Sequence, residues 1–589
     1  MLISFYFSGV SSSAWYKEPV TSLAPILVGL LLTQTEIPLE GTQPGDLLAP
    51  PEPSSRCGCH FDFEEELYSE PGQSYSATAM ALSALDPLFQ AALGVAHQDE
   101  PRLSPTCLRC HAPAGWLGGR SQPGDGSSLE GEDLEGVTCD VCHRMVKPED
   151  GPTHIGDGQY TISDSVDKRG PRGSPPVTGH RSQKSDYLKS SEACGVCHSL
   201  FNPLERAHDA EGNDLGFEYY EQRTYEEWRD SKFVNEKSCI DCHMARVEGY
   251  SCREKTNLYP DLAHHAIVGA NSFVGQAVAL LYPNMELDAQ ARRVKDLVRE
   301  QLATAATLEI LSAQPVIEVE SGDSVELKVR LTNKTGHKLP TGYPEGRRVY
   351  LEVTLKLESS SPIIVSGFWD QATGDLVEDD QLRTYETKHG RVGEGRTQHL
   401  ALANQVLTDT RIPPEDFRPS AADMHPAGRD YGSPPYRHWD EHTFQVPIPA
   451  GIREVTTGTI TVRALHQLTS GKYVRFLLES LGEEDVRARK LKTAYLAFGR
   501  VPPEPMVSVT QSIRVLKKTI PPKPDAGMIP DSGIQMSDGG SVTENKDSCS
   551  CQTTSFFSGN LNCNLWILLM ILLLSGHLPT RSTCKNSHE

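Results

Sequence analysis

Four segments of the chain share the pattern C-x-x-C-H: CLRCH (107–111), CDVCH (139–143), CGVCH (194–198) and CIDCH (239–243). Two thiols separated by one short turn can add across the two vinyl groups of a haem, and the adjoining imidazole then faces the iron. On this reading Cys107, Cys110, Cys139, Cys142, Cys194, Cys197, Cys239 and Cys242 attach haem, and His111, His143, His198 and His243 are proximal ligands. With 15 cysteines and 20 histidines in 589 residues, chance supplies about 0.01 such motifs, so four are not accidental. A zinc ribbon also uses C-x-x-C pairs, but it has no need of a histidine after every second cysteine.

A fifth segment, SSRCGCH (54–60), is the same pattern short of one residue. Cys59 keeps its place beside His60, Arg56 stands where the other thiol belongs, and Cys57 is displaced by one. Two thiols with one intervening residue do not easily reach both vinyl carbons while the histidine stays on the iron axis. Three readings stay open. A haem could be held by one thioether through Cys59, with His60 as proximal ligand. A disulfide could join Cys57 or Cys59 to Cys252, the three cysteines left in this region by the four motifs. An ordinary site could carry an error in the recorded sequence.

The second axial position of each iron decides the chemistry: an imidazole there makes a saturated electron carrier, and water leaves a place for substrate. Outside the motifs the same region offers His60, His97, His154, His180, His208, His264 and His265.

Several stretches resemble the cytochrome c-552/c-554 type of multihaem cytochrome. They are EGVTCDVCHRM (135–145), SSEACGVCHSLFNP (190–203), and the run from EQRTYEEWRDSKF to KSCIDCHMARV (221–247). HHAIVGANSF (264–273) is similar to the family's His followed by a Gly-rich Asn motif, and 61–93 is similar to the segment after its first haem. The resemblance covers roughly residues 55 to 275. It implies a mainly α and irregular fold around closely packed haems, electron transfer, and distal imidazoles from His265 and His180. A haem at Cys59 and His60 is in the expected position, so haem c is expected four times, with a fifth left open.

The elements around these motifs follow from composition and period. A chain of 589 residues exceeds a single core, and its cysteines divide it: eleven lie within 57–252, none within 253–548, and four from Cys549 onward. The pattern predicts an export signal or N-terminal anchor over 1–45, containing LAPILVGLLL (23–32), and a multihaem domain over 46–275. A connecting helix is predicted over 276–311, where DAQARRVKDLVREQLATAATLEIL (288–311) has helical spacing with Asp288 at its start. Alternating apolar residues in 316–333, 347–358 and 443–468 predict an antiparallel β-sandwich over 312–520. The segments TNKTGHKLPTGYPEGRRVYLEV (332–353) and NQVLTDTRIPPEDF (404–417) resemble the β-domain of such proteins. His337 sits there in a Gly-flanked turn, and a histidine bonding its own loop is favoured over one approaching an iron. Residues 521–548 have the composition of a disordered linker, and 549–589, with LWILLMILLL (565–574) before Arg581 and Lys585, resemble myxobacterial sorting tails.

The formal charge of −22 argues against a nucleic-acid partner and favours docking to basic or dipolar redox proteins, quinol-linked or other cytochromes among them. Covalent attachment requires reduced thiols and assembly outside the cytoplasm, so a periplasmic or cell-envelope location is expected, with membrane or surface attachment through a terminus. The function expected is electron transfer between redox partners. The alternative is an oxidoreductase with one open haem acting on hydroxylamine or nitrite, against which stands the absence of C-x-x-C-K.

Overall fold

The computed structural model describes residues 37, 39–63, 70–149, 155–173, 179–342, 346–358 and 360–518. The apolar run 23–32, His154, the linker 521–548 and the tail 549–589 lie outside the described residues.

The N-terminal region is built of short helices separated by long connections. Each motif winds as one: Ser104–His111, Cys139–Arg144, Ser191–His198 and Cys239–His243. The main packing helix here, Pro87–Asp99, starts with proline in its first turn and the Asp86 carboxylate accepting from the Leu88 amide, which supplies a partner for a free helix-end N–H. It buries Ala91, Leu93 and Val95. Leu93 joins Leu108, Trp116, Val141, Tyr160 and Val196, a core formed from three of the motif helices and their neighbours.

The region is not α and irregular throughout. Strands Leu200–His208 and Asp214–Gln222 form a hairpin around the Asp209 turn, where Asp209 accepts from the Glu211 and Asn213 amides. The hairpin continues into the other half of the chain: Gln405 of strand Gln405–Asp409 pairs with His208 in a five-stranded sheet. The two halves therefore share one sheet, and through Ile520 the chain is one compact unit.

The C-terminal region is β-rich. A six-stranded sheet runs Ile317–Glu320, Glu504–Leu516, Thr456–Gln467, Arg348–Leu357 and Ile363–Ser366, with Arg383–Tyr385 also paired to Arg348–Leu357. Its first pair is parallel, so the antiparallel expectation holds only for the remainder. A three-stranded sheet contains Trp439–Pro447, Ser324–Asn333 and Ala306–Ile310. Strict alternation puts Val325, Leu327, Val329 and Leu331 on one face, and these share a core with Val349, Leu351, Val353, Ile460 and Val462 of the larger sheet. Each such side chain contributes about 1.5–3 kcal/mol by leaving water.

Two expectations change. The helix predicted across 288–311 ends at Thr304, because Ala306, Leu308 and Ile310 alternate and pair with Ser324–Asn333. The separate helix Val274–Leu281 precedes it. The span 312–520 also contains two helices, Gly471–Leu481 and Val486–Ala497. Tyr473, Val474 and Leu477 recur at helical spacing and bury against Ala91 and Val95 of helix Pro87–Asp99, so the β-rich half contributes helices to a core of the motif region.

Candidate haem sites

One α-helical turn explains the motif. Residues i, i+3 and i+4 lie on one face, so both thiols and the histidine of C-x-x-C-H emerge together. Local capping fixes where that turn begins. The Thr138 hydroxyl accepts from the Val141 amide, and Ser238 and Asp241 form a reciprocal box at the start of CIDCH. Gly195 within CGVCH admits no side chain, since a Cβ would stand 2.6 Å from the Tyr225 ring. Gly158, with φ +64°, lies against the first motif: its Cβ would be 2.8 Å from the Arg109 Cβ and 3.2 Å from the Cys110 sulfur.

Three motif histidines face a second imidazole across a gap of nearly constant width. His60 faces His180 with ring centres 6.1 Å apart and planes 28° apart. His143 faces His265 at 6.3 Å and 25°, and His243 faces His337 at 6.4 Å and 19°. An imidazole nitrogen bonds a metal at about 2 Å, and ring bonds of about 1.3 Å put the ring centre about 1.1 Å behind that nitrogen, so two ligands on one metal stand about 6 Å apart. The three gaps fit an iron with two axial imidazoles.

The rings are oriented by main-chain carbonyls. Nδ1 of His60 bonds Ser251 O, that of His143 bonds Arg169 O at 2.6 Å, and that of His243 bonds Val268 O at 2.7 Å. On the opposite rings, Nδ1 of His265 bonds Ala263 O at 2.9 Å, of His180 Arg181 O at 3.2 Å, and of His337 Lys338 O at 3.0 Å. A carbonyl only accepts, so Nδ1 carries the proton and Nε2 keeps its lone pair, the tautomer a metal requires. Burial also favours the neutral form of five imidazoles in the region. It lowers His111 and His198 to about 4 and His265 to about 3, and lowers His143 and His337 in the same direction.

His337 was expected to bond only its own loop. It does so through Nδ1, with Lys338 O at 3.0 Å and Thr335 Oγ1 at 3.3 Å, and the other edge of the ring is left to face His243. A buried ionic network holds this loop. Lys338 Nζ donates to Asp409 at 2.6 Å and to Met424 O at 2.7 Å, and Arg411 bridges Asp409 and Glu227. Glu227 lies in helix Thr224–Arg229, shortly before CIDCH, and accepts from the Lys338 amide and the Thr341 hydroxyl. Burial works against a charge on Asp409, but Arg411 and Lys338 outweigh it and hold the carboxyl well below its usual range. The signal for this role in the sequence is the run of Asn333, Thr335 and Lys338 around His337, whose polar side chains become legible as a clamp only once Asp409 and Glu227 are in place.

Electrostatic influence orders the sites. His143 feels His60, the Cys194 thiol feels Cys142, His198 feels His243 and His337, and His111 feels His198. Thiols of different motifs also influence one another: Cys57 and Cys139, Cys194 and Cys239, and Cys110 and Cys197. The sites thus run from His60 through His143 and His198 to His243, with His111 beside His198. The remaining candidates lie elsewhere. His97 Nδ1 bonds the Ser104 hydroxyl at 2.9 Å, His208 lies in the shared sheet, and the His264 amide donates to Ala245. Phe89 stacks flat on the His111 ring at 3.7 Å. The eleven described cysteines, Cys57, Cys59 and Cys252 included, are free thiols. Among the described residues no three His, Cys, Asp or Glu side chains converge to hold a bare metal ion, and no helix is long and apolar enough to cross a membrane.

Comparisons with known proteins bear on the same segments. A penta-heme cytochrome c552 from Thermochromatium tepidum is similar over 79% of this chain and 100% of its own, at 16% identity and a TM-score of 0.47. Two others are similar over parts: AvmM, which catalyzes macrocyclization in alchivemycin A biosynthesis, at 10% identity over 37% of this chain and 93% of its own, TM-score 0.15, and AggA, a fimbrial subunit from Escherichia coli, at 10% over 36% and 95%, TM-score 0.12. No curated protein matches the chain. The family model described as cytochrome c554 and c-prime matches residues 57–144, a span holding CGCH, CLRCH and CDVCH. Over this segment the chain is similar to the cytochrome c554 and c-prime family.

Proposed function

We propose that the chain is an exported multihaem c-type cytochrome that relays electrons between redox partners in the cell envelope. Haem c, when bound, supplies iron that changes oxidation state by one electron. Cys107 and Cys110, Cys139 and Cys142, Cys194 and Cys197, and Cys239 and Cys242 tether it, beside His111, His143, His198 and His243. The observation carrying this reading is the repeated imidazole spacing of 6.1–6.4 Å. At the His60, His143 and His243 sites the paired imidazoles would hold an iron from both sides and leave no place there for substrate, which suits a carrier.

The remaining residues serve the relay. Carbonyl-clamped rings hold ligand geometry fixed between oxidation states, which limits the reorganisation that each transfer entails. The two C-terminal sheets form a sandwich around their common core and cover the His243 end, supplying His337. The net charge of −22 steers basic or dipolar partners through an attraction that salt weakens. Export and attachment through the terminal apolar runs complete the proposal.

Electron paramagnetic resonance during a potentiometric titration tests it. The carrier gives low-spin iron at the His60, His143 and His243 sites, unchanged by nitrite or hydroxylamine. The alternative, an oxidoreductase acting on those compounds, places its open iron at His111 or His198, which among the described residues face no second imidazole at the 6.1–6.4 Å spacing. A high-spin component that shifts with nitrite selects the alternative. The truncated motif suits that role poorly, because His60 has His180 opposite it.

A further inference from the structure

The CGCH segment stands in the same relation to CDVCH as the complete motif CGVCH does to CIDCH. In the complete pair, Ser191, three residues before Cys194, accepts from the Cys239 amide at 3.2 Å, and the Cys194 and Cys239 thiols influence each other. In the other pair, Ser54, three residues before Cys57, accepts from the Cys139 amide at 3.4 Å, and the Cys57 and Cys139 thiols influence each other. Serine, first cysteine and neighbouring motif repeat position for position. Cys57 thus occupies the place of a first motif cysteine, although the sequence count assigns that place to Arg56.

Backbone winding explains how a motif lacking one residue achieves this. The complete motifs wind as α-helix, whereas Ser54–His60 winds as 3₁₀-helix with a junction at Cys57 (φ −89°, ψ 25°). From first cysteine to histidine, four α-helical steps advance about 6 Å and turn about 400°. Three 3₁₀ steps advance about 6 Å and turn about 360°. Apart from the non-helical dihedrals of Cys57, where two 3₁₀ stretches meet, the tighter winding recovers the rise and, to within about 40°, the facing direction lost with the missing residue, and Cys59 remains adjacent to His60 as in every complete motif. The ring is set in the usual way, with Nδ1 on Ser251 O and His180 opposite at 6.1 Å. Main-chain bonding from Arg253 N to Cys59 O at 2.8 Å braces the turn.

We propose that CGCH is a contracted haem-attachment site in which both Cys57 and Cys59 form thioethers, giving a fifth haem with His60 and His180 as axial ligands. Each thiol adds across one vinyl group: an S–C bond forms, the S–H bond breaks, and the hydrogen passes to the other vinyl carbon. No electrons are gained or lost overall, and no further reactant is consumed. The proposal rests on the multihaem reading and replaces attachment through Cys59 alone.

The test uses the full chain, matured in a host that assembles c-type cytochromes, then unfolded, reduced, alkylated with iodoacetamide and cleaved with trypsin. The peptide beginning at Cys57 and ending at Arg102 contains only these two cysteines. The expected product carries one haem and no alkyl group, since reductants do not cleave thioethers. One haem with one alkyl group overturns two-point attachment, and two alkyl groups without haem overturn the site altogether. The variant Cys57→Ala should keep haem by a single thioether, with the α band of its pyridine haemochrome moved to longer wavelength; an unmoved band refutes the role of Cys57. The peptides of the four complete motifs report separately whether the multihaem reading holds.

Discussion

Replacing His337 by alanine probes the point where the β-rich half reaches into the haem region. The substitution is clean because the loop is held through main-chain atoms of residue 337: Asn333 Nδ2 and Thr335 Oγ1 each donate to its carbonyl at 2.8 Å. Lys338, Asp409, Arg411 and Glu227 are untouched, so the loop should keep its course while the ring 6.4 Å from His243 disappears. The consequence is confined to one of the three facing pairs, so about one third of the low-spin resonance intensity from those sites should convert to high spin. Millimolar imidazole should restore it, because a free ring of the same size fits between His243 and the shortened side chain. A low-spin spectrum identical to that of the parent protein would refute the assignment of His337 and return it to a turn residue.

Other substitutions test the supporting structure. Asp409→Asn leaves Lys338 and Arg411 with a neutral partner and should lower unfolding free energy in urea by about 3–5 kcal/mol. Since the folded carboxyl sits below the unfolded value of about 3.9, its contribution is full above that pH and is lost as pH falls; the parent should show this acid loss more steeply than Asp409→Asn. Leu331→Ala, in the core between the sheets, should cost about 2–5 kcal/mol in the same assay without moving the visible spectrum. Gly158→Ala, disfavoured by φ +64° and by contact with Arg109 and Cys110, should lower the yield of haem on the peptide bearing Cys107 and Cys110, read by haem staining and mass.

The residues that do chemistry were the most legible part of the sequence. Spacing alone groups Cys107, Cys110 and His111, because the geometry requiring it is local to one turn. The strands at 324–333, 348–357 and 456–467 were legible for a similar reason: a period of two survives whatever lies opposite. Pairing across distance was not legible. The polar run around His337 is local, but that its ring faces His243 emerges only when Glu227 and Asp409 bring its loop to CIDCH. The helices Gly471–Leu481 and Val486–Ala497 were obscured by flanking strands, and what fixes them is packing on Pro87–Asp99, nearly four hundred residues earlier.

The ring clamps have a consequence for how this protein tolerates change. Every facing pair is steered by peptide carbonyls, supplied by residues as different as Ser251, Arg169, Val268, Ala263, Arg181 and Lys338. Substituting those side chains removes no acceptor, so the facing of the ring pairs is insulated from point replacement in its immediate surroundings. It is exposed instead to anything that shifts the chain itself, such as insertions, loop shortening or mechanical load across the shared sheet.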